Sequence, residues 1–167
     1  MEMTAEDKIR ELKLVLPPVP APAGLYEPIL VDGSLAYVSG HLPMLSDGTM
    51  LKGKIGTDLT LEDGISSARQ AGLNILATLR HKLGNLDRVS RIVKILGMVS
   101  ADSGFAQHPH VINGCSELFK QIWGEQNGVG VRSAFGVSGL PGNACVEIEG
   151  IFKTVSYTHL RAHETQR

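Results

Sequence analysis

The chain has 167 residues, 43% hydrophobic, 20% charged and 5% aromatic, with 16 Lys plus Arg against 17 Asp plus Glu. A net charge of −1 disfavours a nucleic-acid binder, whose affinity rests on neutralising phosphates, and no apolar run approaches the ~20 residues of a membrane helix or forms a signal peptide after Met1. Cys115 and Cys145 are too few for a disulfide framework or a four-ligand zinc site, so composition predicts one soluble, reduced, cytoplasmic α+β domain.

Thr4 followed three residues later by Asp7 reads as the capping box of a short helix, with Ile9 and Leu12 on one side. Pro17, Pro18, Pro20 and Pro22 then forbid helix and favour a stiff polyproline strap. Residues 1–22 are therefore expected to form a helix and strap ahead of a domain spanning 23–154. Within that domain, residues 30–40 read as two strands about an Asp32-Gly33 turn, and residues 46–49 as a second turn. Thr60 and Asp63 make another capping box. Ile65, Ala68, Gly72, Ile75, Leu76, Leu79 and Leu83 form one apolar stripe behind it, and Gly84 supplies the left-handed stop.

Residues 91–99 are apolar on both faces, as in a covered central strand. Pro109 suits the first turn of a second long helix. Its stripe is Val111, Ile112, Cys115, Leu118, Phe119 and Ile122, and Gly124 is its expected end. Residues 132–140 and 144–153 alternate as strands about a Pro141-Gly142-Asn143 turn. That turn predicts a hairpin of antiparallel neighbours, with Cys145, Glu147 and Glu149 sharing one face. The order ββαβαββ implies a mixed sheet with two helices packed on one face. Residues 155–165, VSYTHLRAHET, resemble the one-frame translation of a transposase adapter used in sequencing libraries. Residues 155–167 are therefore expected to be non-native, and His159 and His163 are excluded as ligands.

Common catalytic motifs fail. Gly128-Val129-Gly130 lacks the third glycine and following helix of a dinucleotide loop. No phosphate loop and no Gly-x-Ser-x-Gly elbow occurs. His108 and His110 flank Pro109 with no third ligand nearby. Arg132 and Glu147 survive, and their spacing leaves two readings open. They are either solvated charges on an exposed sheet face, or an anion-binding guanidinium beside a carboxylate that handles a proton.

The segments Val38-Ser39-Gly40-His41-Leu42-Pro43, Arg132-Ser133 with Gly139-Leu140-Pro141, and Val146-Glu147-Ile148-Glu149-Gly150 together resemble the reactive-intermediate deaminase family (RidA, formerly YjgF). Tyr26 and Asn113 also match its pattern, and the resemblance spans residues 23–153. It implies a chorismate-mutase-like α+β fold and a homotrimer with clefts between subunits. It implies hydrolysis of 2-imino acids to 2-keto acids and ammonia, with no cofactor. Arg132 would grip the substrate carboxylate and Glu147 would orient water, while Tyr26, Ser39, Gly40, Asn113 and the Ala134 position line the cleft, some contributed by a neighbouring subunit. Three departures mark a divergent branch: Ala134 where cysteine is frequent, His41 where glutamine is common, and residues 1–22 beyond the compact family length.

The rival reading is a non-catalytic trimer that binds a small carboxylate through the same arginine. Ribonuclease activity ranks last, because neither charge nor aromatic content suits a phosphate backbone. A physical hint agrees with assembly. Two helices can cover only one face of a sheet whose strands are apolar on both.

Overall fold

A computed structural model describes residues 2–156 of the chain. Most of the segment expected to be non-native, with His159 and His163, lies outside the described residues. Helix α1 (Ala5–Glu11) is closed at its start by a reciprocal capping box: Thr4 Oγ1 accepts from Asp7 N at 3.1 Å and Asp7 Oδ2 accepts from Thr4 N at 3.1 Å. Ala5 and Ile9 are buried in the main core. Glu6 takes a two-pronged bond from Arg80 at 2.9 and 2.8 Å. Helix α1 is thus seated on the domain, and the strap leads from it to the first strand.

Strands β1 (Ile29–Asp32) and β2 (Leu35–His41) form the expected hairpin, with Gly33 at φ 61°. Helix α2 (Leu61–Leu83) starts at the Thr60–Asp63 box and stops at Gly84, φ 85°. It buries more than the expected stripe, because the sheet covers one side and the next long helix another. Ser67, Asn74 and Thr78 are buried, whereas Ile65 is half-exposed. Strand β3 spans Val89–Ser100. Helix α3 (His108–Gly128) starts one residue before Pro109 and buries the expected stripe. Gly124, at φ 82° and ψ 174°, breaks the helical path without ending it. Strands β4 (Val131–Val137) and β5 (Val146–Thr154) complete the fold.

The sheet order β1-β2-β5-β3-β4 corrects the expected hairpin. Strand β5 lies between β2 and β3, antiparallel to both, and β4 sits on the far edge of β3, parallel to it. The reason is the α3 crossover. A strand returning after a helix runs parallel to its predecessor, which puts β4 on one edge of β3 and leaves the other for β5. Both α2 and α3 pack on the same sheet face, as expected for this α+β class. Val146, Ile148 and Phe152 of β5 point into that layer, while Glu147 and Glu149 point to the open face. Cys145 is not their partner; it precedes the strand and is fully buried. Both thiols are free and buried. Among the described residues no helix is long and apolar enough to cross a membrane.

Candidate functional site

Arg132 enters β4 opposite Ile95, a buried residue of the helix-covered face. Its side chain therefore leans over the edge of the sheet towards α3. There Nη1 donates to Asn113 Oδ1 at 2.7 Å and to Ser116 Oγ at 3.1 Å. Asn113 and Ser116 are three apart on α3, so both project from the same side of the helix. Sequence reasoning found Asn113 but missed Ser116, although that three-residue spacing was its signal. The two bonds occupy both protons of Nη1 and fix the guanidinium plane. Nε and Nη2 make no bond among the described residues, and their parallel protons form the fork that matches a carboxylate. A cleft of about 360 Å³ opens beside this group, between Asn113, Ser116, Lys120, Glu125 and Arg132. Ala134 follows on the same face, opposite Gly97, and packs against the core.

Glu147 belongs to a second group. It stands opposite Met98 on β3, three residues from Ile95, so it faces the other side of the sheet from Arg132. Its side chain reaches diagonally over Gly40 of β2, where the backbone approaches the acid closely. A Cβ there would lie 2.7 Å from Glu147 Cδ and 2.9 Å from its Cγ, and would collide with the carboxylate oxygen. Burial, and secondarily the like charge of Glu149, hold the Glu147 carboxyl above the ordinary glutamate range. Ser39 sits beside Gly40, and both its amide and its hydroxyl donate to the Pro28 carbonyl, at 3.0 and 3.2 Å. Tyr26, two residues before that proline, is exposed, and its hydroxyl accepts from Ala23 N at 3.2 Å. The close approach predicts a specific cost. Gly40→Ala should destabilise the fold by ~1–3 kcal/mol through overpacking, read as a lower urea midpoint at unchanged slope.

The structure thus brings Arg132 to Asn113 and Glu147 to Gly40, leaves Ser39 bonded to Pro28 and Tyr26 to Ala23, and does not bring Arg132 and Glu147 together within one copy. Among the described residues no three His, Cys, Asp or Glu side chains are grouped to hold a metal ion. The open face around Glu147 carries exposed Leu30, Tyr37, Val131 and Phe135.

The family model described as "YjgF/chorismate_mutase-like, putative endoribonuclease" matches residues 6–149. Protein TCP17 of Trypanosoma cruzi is 35% identical over 143 residues, covering 86% of this chain and 89% of that protein. The solved structure of Atu1372 from Agrobacterium tumefaciens, a protein with unknown function, is 35% identical with a TM-score of 0.83, covering 90% of this chain and 92% of that one. A RidA from an Antarctic Psychrobacter shares the fold at 24% identity and a TM-score of 0.58, over 81% of this chain and 93% of that one.

Proposed function

The chain belongs to the YjgF/chorismate mutase-like family, the RidA group, and from that membership we propose that it hydrolyses reactive 2-imino acids to 2-keto acids and ammonia. The carrying observation is the pair of half-sites: a guanidinium with a carboxylate-binding fork left open, and a half-buried carboxyl seated on a glycine. In the proposed reaction the substrate carboxylate lies on Nε and Nη2 of Arg132. Glu147 takes a proton from water as the water oxygen bonds to the imine carbon and the C=N π pair moves to nitrogen. Glu147 returns that proton to the nitrogen to give the carbinolamine. The hydroxyl proton then passes through the same carboxylate to the amine, the O–H pair forms the C=O as the C–N bond breaks, and ammonia and the keto acid leave. A carboxyl held above its usual range is better matched to a base working near neutrality. Imines of this kind hydrolyse in water unaided, so positioning and proton handling suffice.

Because Arg132 and Glu147 face opposite sides of the sheet, one small molecule meets both only where two copies join. Strand β4 is the sheet edge, so Arg132 stands on the rim of the subunit. In the proposed homotrimer that rim docks against the open face of the next copy, covers its apolar residues and carries Arg132 to the neighbouring Glu147. Such a contact is heterologous, and in a closed ring it forms one site per interface. Purified protein should therefore accelerate keto-acid release from 2-iminobutanoate or 2-iminopropanoate generated in situ. No acceleration across a panel of imino acids refutes the reading. Ala134 favours the second reading, a trimer that binds a keto acid without turnover. It leaves that stretch of the cleft with a methyl group where the family frequently carries a thiol.

A further inference from the structure

Strand β2 pairs Val38 with Gly150 and His41 with Ile148, so Ser39 and Gly40 together stand opposite Glu149 alone. This is a β-bulge, and it reverses the facing of every residue after it. In an unbulged strand Gly40 would point into the helix layer and His41 to the open face. Here Gly40 lies against the Glu147 carboxylate instead, and His41 is buried at 5% exposure with Ile148.

The buried imidazole has two partners. Its Nδ1 lies 2.7 Å from the Ser39 carbonyl and its Nε2 lies 2.8 Å from Thr78 Oγ1 of α2. A carbonyl only accepts, so Nδ1 carries the proton and Nε2 accepts from the Thr78 hydroxyl. This is the neutral tautomer, and burial, opposed by the Ser39 hydrogen bond, holds His41 below its ordinary value. The bond to Ser39 spans the bulge, and the bond to Thr78 ties it to the helix. Four and eight residues earlier on α2, Asn74 donates to the Leu42 and Met44 carbonyls at 2.8 and 2.9 Å, and Gln70 to Met44 at 3.1 Å. A polar ladder on one helix stripe thus receives the chain as it leaves the bulge.

We propose that His41 is a positioning residue, whose latch between the Ser39 carbonyl and Thr78 holds the bulge in register and thereby holds Gly40 against the Glu147 carboxyl. The inference rests on the deaminase reading only for its consequence in turnover; the latch itself is a property of the folded chain. Releasing it frees Gly40 from Glu147, hydrates the carboxyl and lets it swing.

The test is a ¹³C-carboxyl NMR titration of Glu147 in the ligand-free wild type, His41→Ala and Thr78→Val. The latch predicts that both variants, still folded by circular dichroism, move the Glu147 midpoint down towards ordinary glutamate. Thr78→Val keeps the side-chain shape and the histidine, so it decides the matter if His41→Ala does not fold. In turnover, kcat should fall about tenfold with KM within about twofold. An unchanged Glu147 midpoint in a folded variant overturns the proposal. If the wild type hydrolyses no imine, the deaminase reading fails, and the titration still decides the latch.

Discussion

Arg132→Ala is expected to lower kcat/KM for imine hydrolysis by ~10²–10⁴-fold, since it removes two charge-assisted hydrogen bonds of ~1.5–3 kcal/mol each. The loss should fall on both KM and kcat, because the same fork that binds the carboxylate also aims the imine carbon at the attacking water. Arg132→Lys should recover less than about a tenth of the activity: an ammonium supplies charge but no planar pair of donors. Asn113→Ala and Ser116→Ala should be milder, since each frees only one proton of Nη1 and loosens the plane of the fork. Steady-state keto-acid formation measures all four. An Arg132→Ala enzyme within about threefold of wild type would remove the arginine from the site.

Glu147→Gln is expected to lower kcat by ~10²–10⁴-fold, the usual worth of a positioned general base, while calorimetry finds keto-acid binding unchanged. A stability effect of opposite sign accompanies it. Burial raises the Glu147 pKa in the folded state above the reference 4.5. The folded protein therefore binds this proton more readily than the unfolded chain does. The resulting stabilisation is complete below the unfolded value and is lost as pH rises through the folded one. Near pH ~7 the wild type carries a half-buried charge that the glutamine variant lacks, so Glu147→Gln should have the higher urea midpoint there. Towards pH ~4 the two should converge. A variant that loses activity and gains stability is the signature of a group held in place for chemistry rather than for folding.

What the sequence disclosed and what it hid divide along the range of the physics involved. The capping boxes at Thr4–Asp7 and Thr60–Asp63, the turn at Gly33 and the stop at Gly84 are contacts within a few residues, and each was legible. The true partners of β4 and β5 are not legible in the same way, because pairing is not local. A three-residue turn favours a hairpin, but β3 separates the two strands, and the α3 crossover decides which edge β4 takes. The same long-range fact governs the site. Residue types identified Arg132 and Glu147, yet their facing follows from their registers on a third strand. They stand opposite Ile95 and Met98, three positions apart, and an odd offset puts them on opposite sides. The β2 bulge was equally invisible: nothing in Ser39-Gly40-His41 says that two residues will face one. His41, noted in the sequence only as a departure, is the residue that the bulge turns inward.

Turnover in the proposed trimer depends on Arg132 of one copy serving Glu147 of the next, and mixed assemblies test this most directly. Arg132→Ala and Glu147→Gln copies, each inactive alone, are co-assembled in equal amounts by joint refolding and assayed for imine hydrolysis. If every site draws its arginine and its glutamate from different copies, about a quarter of the sites recover both intact groups, and about a quarter of wild-type activity returns. If mixtures verified to contain both variants stay as inactive as the parents, the shared site is contradicted.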